Sequence, residues 1–176
     1  GDSAVYSQHA FVVYPLVVQA NGATGIEVPA RNYGNDLDAL AGAVREDTRM
    51  VFLANPNNPT GTLLPAAEVR RLHKHLPADV LFILDAAYAE YVGGADYEDG
   101  AMLVRDFGNA VMLRTFSKIY GLAALRLGWA YSPPAVTDVL NRVRGPFNVP
   151  APAQAAGVAA LADRAHLDKA RAHNDL

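Results

Sequence analysis

The residues of this 176-residue chain that are equipped for chemistry sit beside apolar runs of strand length. Lys118, in the string Thr115-Phe116-Ser117-Lys118, shares its residue type only with Lys74 and Lys169. Those two stand among charged residues on helical stretches and read as solvated, whereas Lys118 lies in a weakly charged segment at a strand end. An amine in a dehydrated site near another cation has a lowered pKa and becomes a Schiff-base nucleophile; the plainer reading is a surface lysine snorkelling over apolar neighbours. Asp85 ends the run 80–84, with Tyr88 three residues on. A carboxylate there is a turn former or cap, or it is held in a partly apolar crevice and needs a cation or donor as partner. A protonated pyridine nitrogen would serve. Asn55-Pro56-Asn57-Asn58-Pro59-Thr60-Gly61 follows the run 50–54 and is stiffened by two prolines. Its amides can meet a ligand without moving, its Asn-Pro bonds are candidates for cis, and its plainer reading is a turn. Arg126, ahead of Leu127-Gly128, carries a fork suited to a phosphate or, more ordinarily, to a salt bridge.

These residues need a scaffold that brings strand ends together. Candidate strands at 3–7, 24–28, 50–54, 80–84, 111–114 and 127–131 alternate with helical patterns at about 9–22, 36–44, 65–76, 99–107, 134–144 and 152–172. That alternation predicts an α/β fold with a mostly parallel sheet and one domain, 51–54 and 80–84 being apolar enough for central strands. In such sheets ligands bind beyond the carboxyl ends of the strands, where the polar strings fall. Asn35 or Asp36 is placed to cap one helix, and Pro65 with Glu68 suits the start of the next.

Apolar residues make up 51% of the chain and charged residues 19%, which excludes a disordered or coiled-coil chain. A net charge of -3 without a basic run offers nothing for nucleic acid or an anionic membrane, and no apolar stretch reaches the ~20 residues of a span. With no cysteine, disulfides and thiolate chemistry are excluded and a reducing compartment is compatible. The histidines His9, His73, His75, His166 and His173 are scattered and read as solvated helix residues, so no metal is expected. There is no phosphate-loop motif, and Gly22-Ala23-Thr24-Gly25 lacks the third glycine of a dinucleotide fingerprint.

Taken in order, N-P-N-N-P-T-G at 55–61, D-x-x-Y at 85–88, T-x-S-K at 115–118 and R-L-G at 126–128 resemble the pyridoxal-phosphate aminotransferases of the aspartate aminotransferase fold. The resemblance runs over essentially the whole chain. It is closest to the histidinol-phosphate aminotransferase family, through residues 114–118, 121–128 and 11–15. It implies the three-layer α/β/α large domain of these transferases over residues 1–176, with pyridoxal 5'-phosphate as cofactor. It also implies Lys118 as the Schiff-base lysine and proton shuttle, and Asp85 as partner of the pyridinium nitrogen. Asn58 and Tyr88 would lie on the phenolic oxygen, Thr115, Ser117 and Arg126 on the phosphate, and Phe11 on the ring face. The implied reaction is a ping-pong transfer of an amino group from L-histidinol phosphate to 2-oxoglutarate in histidine biosynthesis, by a cytoplasmic homodimer.

Departures from the pattern matter too. Many relatives read D-E-A-Y where this chain has Asp85-Ala86-Ala87-Tyr88, which leaves the contribution of that acid in doubt but spares the cofactor contacts. The family's Gly-rich cofactor segment, its tyrosine from the neighbouring subunit and its substrate-binding arginine have no counterpart in these residues. The start at Gly1 and the end at Leu176 read as those of a fragment, expected to bind cofactor weakly and to lack turnover alone. The rival readings are an aromatic or broad-specificity aminotransferase, a phosphothreonine decarboxylase of the same fold, and a catalytically idle cofactor-binding effector domain.

Overall fold

The computed structural model describes residues 1–175. Six strands form one sheet: β1 (Ser3–Ser7), β2 (Thr24–Val28), β3 (Thr48–Ala54), β4 (Leu81–Asp85), β5 (Ala110–Thr115) and β6 (Gly128–Tyr131). Their order is β2-β1-β3-β4-β5-β6, with every pairing parallel except the antiparallel β5–β6 edge. The helices are α1 (Val13–Ala20), α2 (Leu37–Gly42), α3 (Ala66–His75), α4 (Ala101–Asp106), α5 (Pro134–Val143), α6 (Ala151–Ala162) and α7 (Arg164–Asn174). Among the described residues no helix is long and apolar enough to cross a membrane.

Side chains alternate across the sheet with the two-residue period of a strand. Val5, Val51, Leu53, Phe82, Leu84 and Met112 pack on one face with Leu37 and Leu40 of α2, Val69 and Leu72 of α3, and Leu103 of α4. Ala4, Tyr6, Phe52 and Ala54 face the other way, onto Tyr14 and Val18 of α1. Burial on both faces explains the uninterrupted apolar runs of β3 and β4.

The expected α/β class and mostly parallel sheet are found, with differences in detail. The helix expected from residue 9 begins at Val13, because residues 8–12 turn back over the strand ends: Gln8 N donates to Val28 O and Ala10 N to Ser7 O. Pro15 then falls in the first helical turn, where the missing N–H costs no bond. The single helix expected over 152–172 is two, since Asp163 leaves helical geometry (φ -85, ψ 77) and its carboxylate accepts from His166 N to start α7. His73 is not solvated: it is 5% exposed, and its Nε2 pairs with Asn109 Oδ1 at 2.8 Å. Burial lowers its pKa from the ordinary 6.5, so as pH falls through that value the unfolded chain takes up a proton that folded His73 resists, and stability drops.

Asp36 caps α2 as expected, Oδ1 accepting from Ala39 N at 3.0 Å. Asp36→Ala is expected to cost about 1 kcal/mol of unfolding free energy, read as a lower urea midpoint with an unchanged slope.

Candidate active site

Strand order reverses at β1, which lies between β2 and β3, and the crevice beyond the carboxyl ends of a sheet at such a point is where ligands bind. The loops after β1, β3, β4 and β5 meet there. Phe11, Tyr14, Asn58, Asp85, Ala87, Tyr88 and Lys118 line one cleft, which continues into an open crevice of about 590 Å³ bordered by Pro56, Leu63, Tyr91 and Asn174.

The loop after β3 is held by its own buried amides. Asn55, 1% exposed, receives Leu64 N on Oδ1 at 2.9 Å and donates Nδ2 to Leu64 O at 3.0 Å. Asn57 Nδ2 reaches across to His9 O at 3.0 Å, joining this loop to the turn after β1. Both Asn55-Pro56 and Asn58-Pro59 are cis. Asn58 borders the cleft.

Asp85, the last residue of β4, uses each oxygen once: Oδ1 accepts from Ala87 N at 3.1 Å and Oδ2 from the Tyr14 hydroxyl at 2.7 Å. Each oxygen keeps accepting capacity for a further donor. Tyr14 is 4% exposed and stacks on Phe52 with ring centroids 4.9 Å apart. Burial first, then the Asp85 charge and the hydrogen bond to it, push the Tyr14 hydroxyl far above its ordinary range, so it stays a donor. Sequence reasoning missed this residue, since a tyrosine on the apolar stripe of a helix reads as core. The signal available was a buried hydroxyl, which needs a partner. Tyr14→Phe is expected to cost about 1.5–3 kcal/mol of stability, the range for a hydrogen bond to a charged group, measurable by urea unfolding.

Lys118 lies on the loop after β5 with Nζ 5.1 Å from the Tyr88 ring centroid, a cation–π contact across the cleft. Lys118 is exposed, because the crevice it borders is open. Lys74 and Lys169 are exposed on helices outside the cleft. Beside Lys118, Ser117 N donates to Thr115 Oγ1 at 3.0 Å and Arg126 Nη1 approaches Ser117 Oγ at 3.4 Å. Thr115, Ser117 and Arg126 thus form one patch of two hydroxyls and a guanidinium, suited to an anion. Arg126 adopts a left-handed backbone (φ 51) ahead of Gly128, where a Cβ would come within 2.9 Å of Arg114 O. The glycine lets β6 close on β5 and so sets the arginine's place.

Phe11 lies at the cleft, in the turn before α1 and edge-on to Tyr14 at 6.1 Å. All the residues singled out from the sequence therefore lie at the carboxyl end of the sheet, in the cleft or in the adjoining patch. Among the described residues no group of three or more His, Cys, Asp or Glu side chains is placed to hold a metal ion.

The chain is similar to known proteins over nearly its whole length. The chain is 57% identical over 175 residues to the histidinol-phosphate aminotransferase of Rhodospirillum centenum and 55% identical to that of Maricaulis maris, covering 99% of this chain and 48% of each relative. It therefore spans about half the length of these curated relatives. A crystal structure of histidinol-phosphate aminotransferase from Sinorhizobium meliloti, in complex with pyridoxal-5'-phosphate, superposes with a TM-score of 0.91 at 34% identity. The match covers 97% of this chain and 47% of that one. Since the family profile described as "Aminotransferase class I and II" also matches residues 1–174, spanning all four loops of the cleft, the chain belongs to that family.

Proposed function

We propose that residues 1–176 are the cofactor-binding large domain of a pyridoxal-phosphate-dependent aminotransferase that acts on L-histidinol phosphate and 2-oxoglutarate. The observation that carries this reading is the convergence of Lys118, Asp85, Tyr88, Asn58 and Phe11 on one cleft beside the Thr115-Ser117-Arg126 patch. The donor set fits pyridoxal phosphate: an amine, a carboxylate with free accepting capacity, an aromatic ring at the wall, and a hydroxyl-guanidinium patch for a dianion. When bound, that cofactor supplies an electron sink for charge left on the α-carbon of an amino donor.

Within this reading each side chain has a task. Asp85, its rotamer fixed by Tyr14 and Ala87 N, would accept from the ring nitrogen and keep it protonated. Asn58 and Tyr88 would hold the phenolic oxygen, Phe11 would cover the ring face, and Thr115, Ser117 and Arg126 would take the phosphate. Lys118 would hold the cofactor at its aldehyde carbon, and its amine would be the base that carries the proton from the substrate α-carbon to the cofactor's C4′. The full-length protein acts as a cytoplasmic homodimer. The choice of substrate rests on the relatives, which carry the histidinol-phosphate name at 55–57% identity.

The test is a visible-absorbance titration of the chain with pyridoxal phosphate, followed by L-histidinol phosphate or L-phenylalanine. Uptake with a shift on the phosphorylated donor alone supports the proposal. A shift on phenylalanine alone transfers it to an aromatic aminotransferase.

A further inference from the structure

Helix α7 touches both walls of the cleft with residues to which the proposed chemistry assigns no task. His166, Leu167, Ala170, Arg171 and Asn174 follow the spacing of a single helix face. Leu167 anchors that face at 3% exposure. On one side of the anchor His166 Nε2 lies 2.8 Å from the backbone oxygen of Ile119, and since a carbonyl only accepts, Nε2 carries the proton and donates. On the other side Arg171 Nε donates to the backbone oxygen of Glu90. Asn174 borders the crevice itself.

The two acceptors are well placed in the sequence. Ile119 follows Lys118 directly, and Glu90 lies two residues beyond Tyr88, in the 3-10 turn Ala89–Tyr91. Lys118 and Tyr88 face each other across the cleft at 5.1 Å. Their loops come from different strands, β5 and β4, and α7 bridges them through backbone carbonyls rather than through the reacting side chains.

We propose that His166 and Arg171 are positioning residues that set the separation of Lys118 and Tyr88, with α7 acting as the strap. The inference rests on the reading of Lys118 as the cofactor lysine for its consequence, but the positioning itself is measurable without cofactor. The amides to watch are Gly121, which donates to Lys118 O at 2.9 Å, Leu122, which donates to Phe116 O at 2.9 Å, and Tyr91, which donates to Tyr88 O at 3.1 Å.

In the cofactor-free chain, His166→Leu is expected to speed hydrogen exchange at Gly121 and Leu122 by about tenfold, and Arg171→Met to do the same at Tyr91, each having lost one positioning hydrogen bond. Amides of β3 and β4 keep their rates. Both variants weaken pyridoxal phosphate uptake by about the same factor. His166→Gln, which keeps an N–H donor at the same reach, restores exchange and uptake together. Unchanged exchange in His166→Leu and Arg171→Met overturns the proposal, and so does a uniform rise across the sheet, which marks only a loss of global stability. If the wild-type chain takes up no pyridoxal phosphate, the cofactor reading fails, and the exchange pattern with its rescue by His166→Gln still decides whether α7 positions the two loops.

Discussion

Lys118→Ala is expected to abolish the visible absorbance that the chain gains with pyridoxal phosphate and to lower amino transfer in the full-length protein by on the order of 10²–10⁴-fold, the contribution of a positioned general base. The expectation follows from placement. Of the three lysines only Lys118 borders the cleft, opposite Tyr88 and beside the Ser117-Arg126 patch, while Lys74 and Lys169 lie on solvent-facing helical surfaces. Neither can take over its task. Because Lys118 is exposed and forms no buried ion pair, its removal leaves the fold intact, so the loss is chemical rather than structural. An unfolding midpoint within about 0.5 kcal/mol of wild type, together with lost absorbance, is the combined signature.

Breaking the ion pair beneath the cleft has the opposite signature, a large loss of stability. Arg114 Nη2 meets Glu90 Oε1 at 2.7 Å, with side chains only 11% and 7% exposed, and its Nη1 meets Asp99 at 3.0 Å. The guanidinium also lies over the Trp129 ring at 5.7 Å. Arg114→Leu strands a buried carboxylate whose Oε2 already lacks a hydrogen-bond partner among the described residues. The expected cost is about 3–5 kcal/mol, against a total of about 5–15 kcal/mol for a typical domain. The double change Glu90→Leu with Arg114→Leu removes both charges and recovers most of that loss, so a double-mutant cycle in urea gives a large coupling energy. Additive single effects would show that the pair contributes little. The pair also adjoins the proposed site, since Glu90 lies in the turn that follows Tyr88 and Arg114 precedes Thr115.

How far the sequence discloses this arrangement differs from residue to residue. β1 and β2 are visible to their end residues, β1 through the apolar Ala4-Val5-Tyr6 between two serines and β2 through the alternation of Thr24, Ile26 and Val28 ahead of Pro29. Lys118, Asp85 and Asn58 are visible because chemistry-bearing residues right after buried strands have few structural reasons to be there. Direction is not visible: nothing in Gly128-Trp129-Ala130-Tyr131 distinguishes the antiparallel β6 from another parallel strand. Tyr14 and the Glu90–Arg114 pair escape notice for a related reason. Their partners stand 71 and 24 residues away, so local periodicity reports the burial but not the contact. His73 looks solvated on a charged helix until the packing of Phe107 against its ring is seen, with centroids 4.1 Å apart. The openness of the crevice at Lys118 depends on how four loops meet, which no single segment encodes.

The most direct test of the central claim is borohydride reduction of the chain mixed with pyridoxal phosphate, followed by peptide mapping. The cofactor reading of the cleft predicts a single pyridoxyl group on Lys118, its yield lowered when Asp85 is replaced by Ala. A pyridoxyl group on Lys74 or Lys169, or one spread evenly over the three lysines, would contradict it.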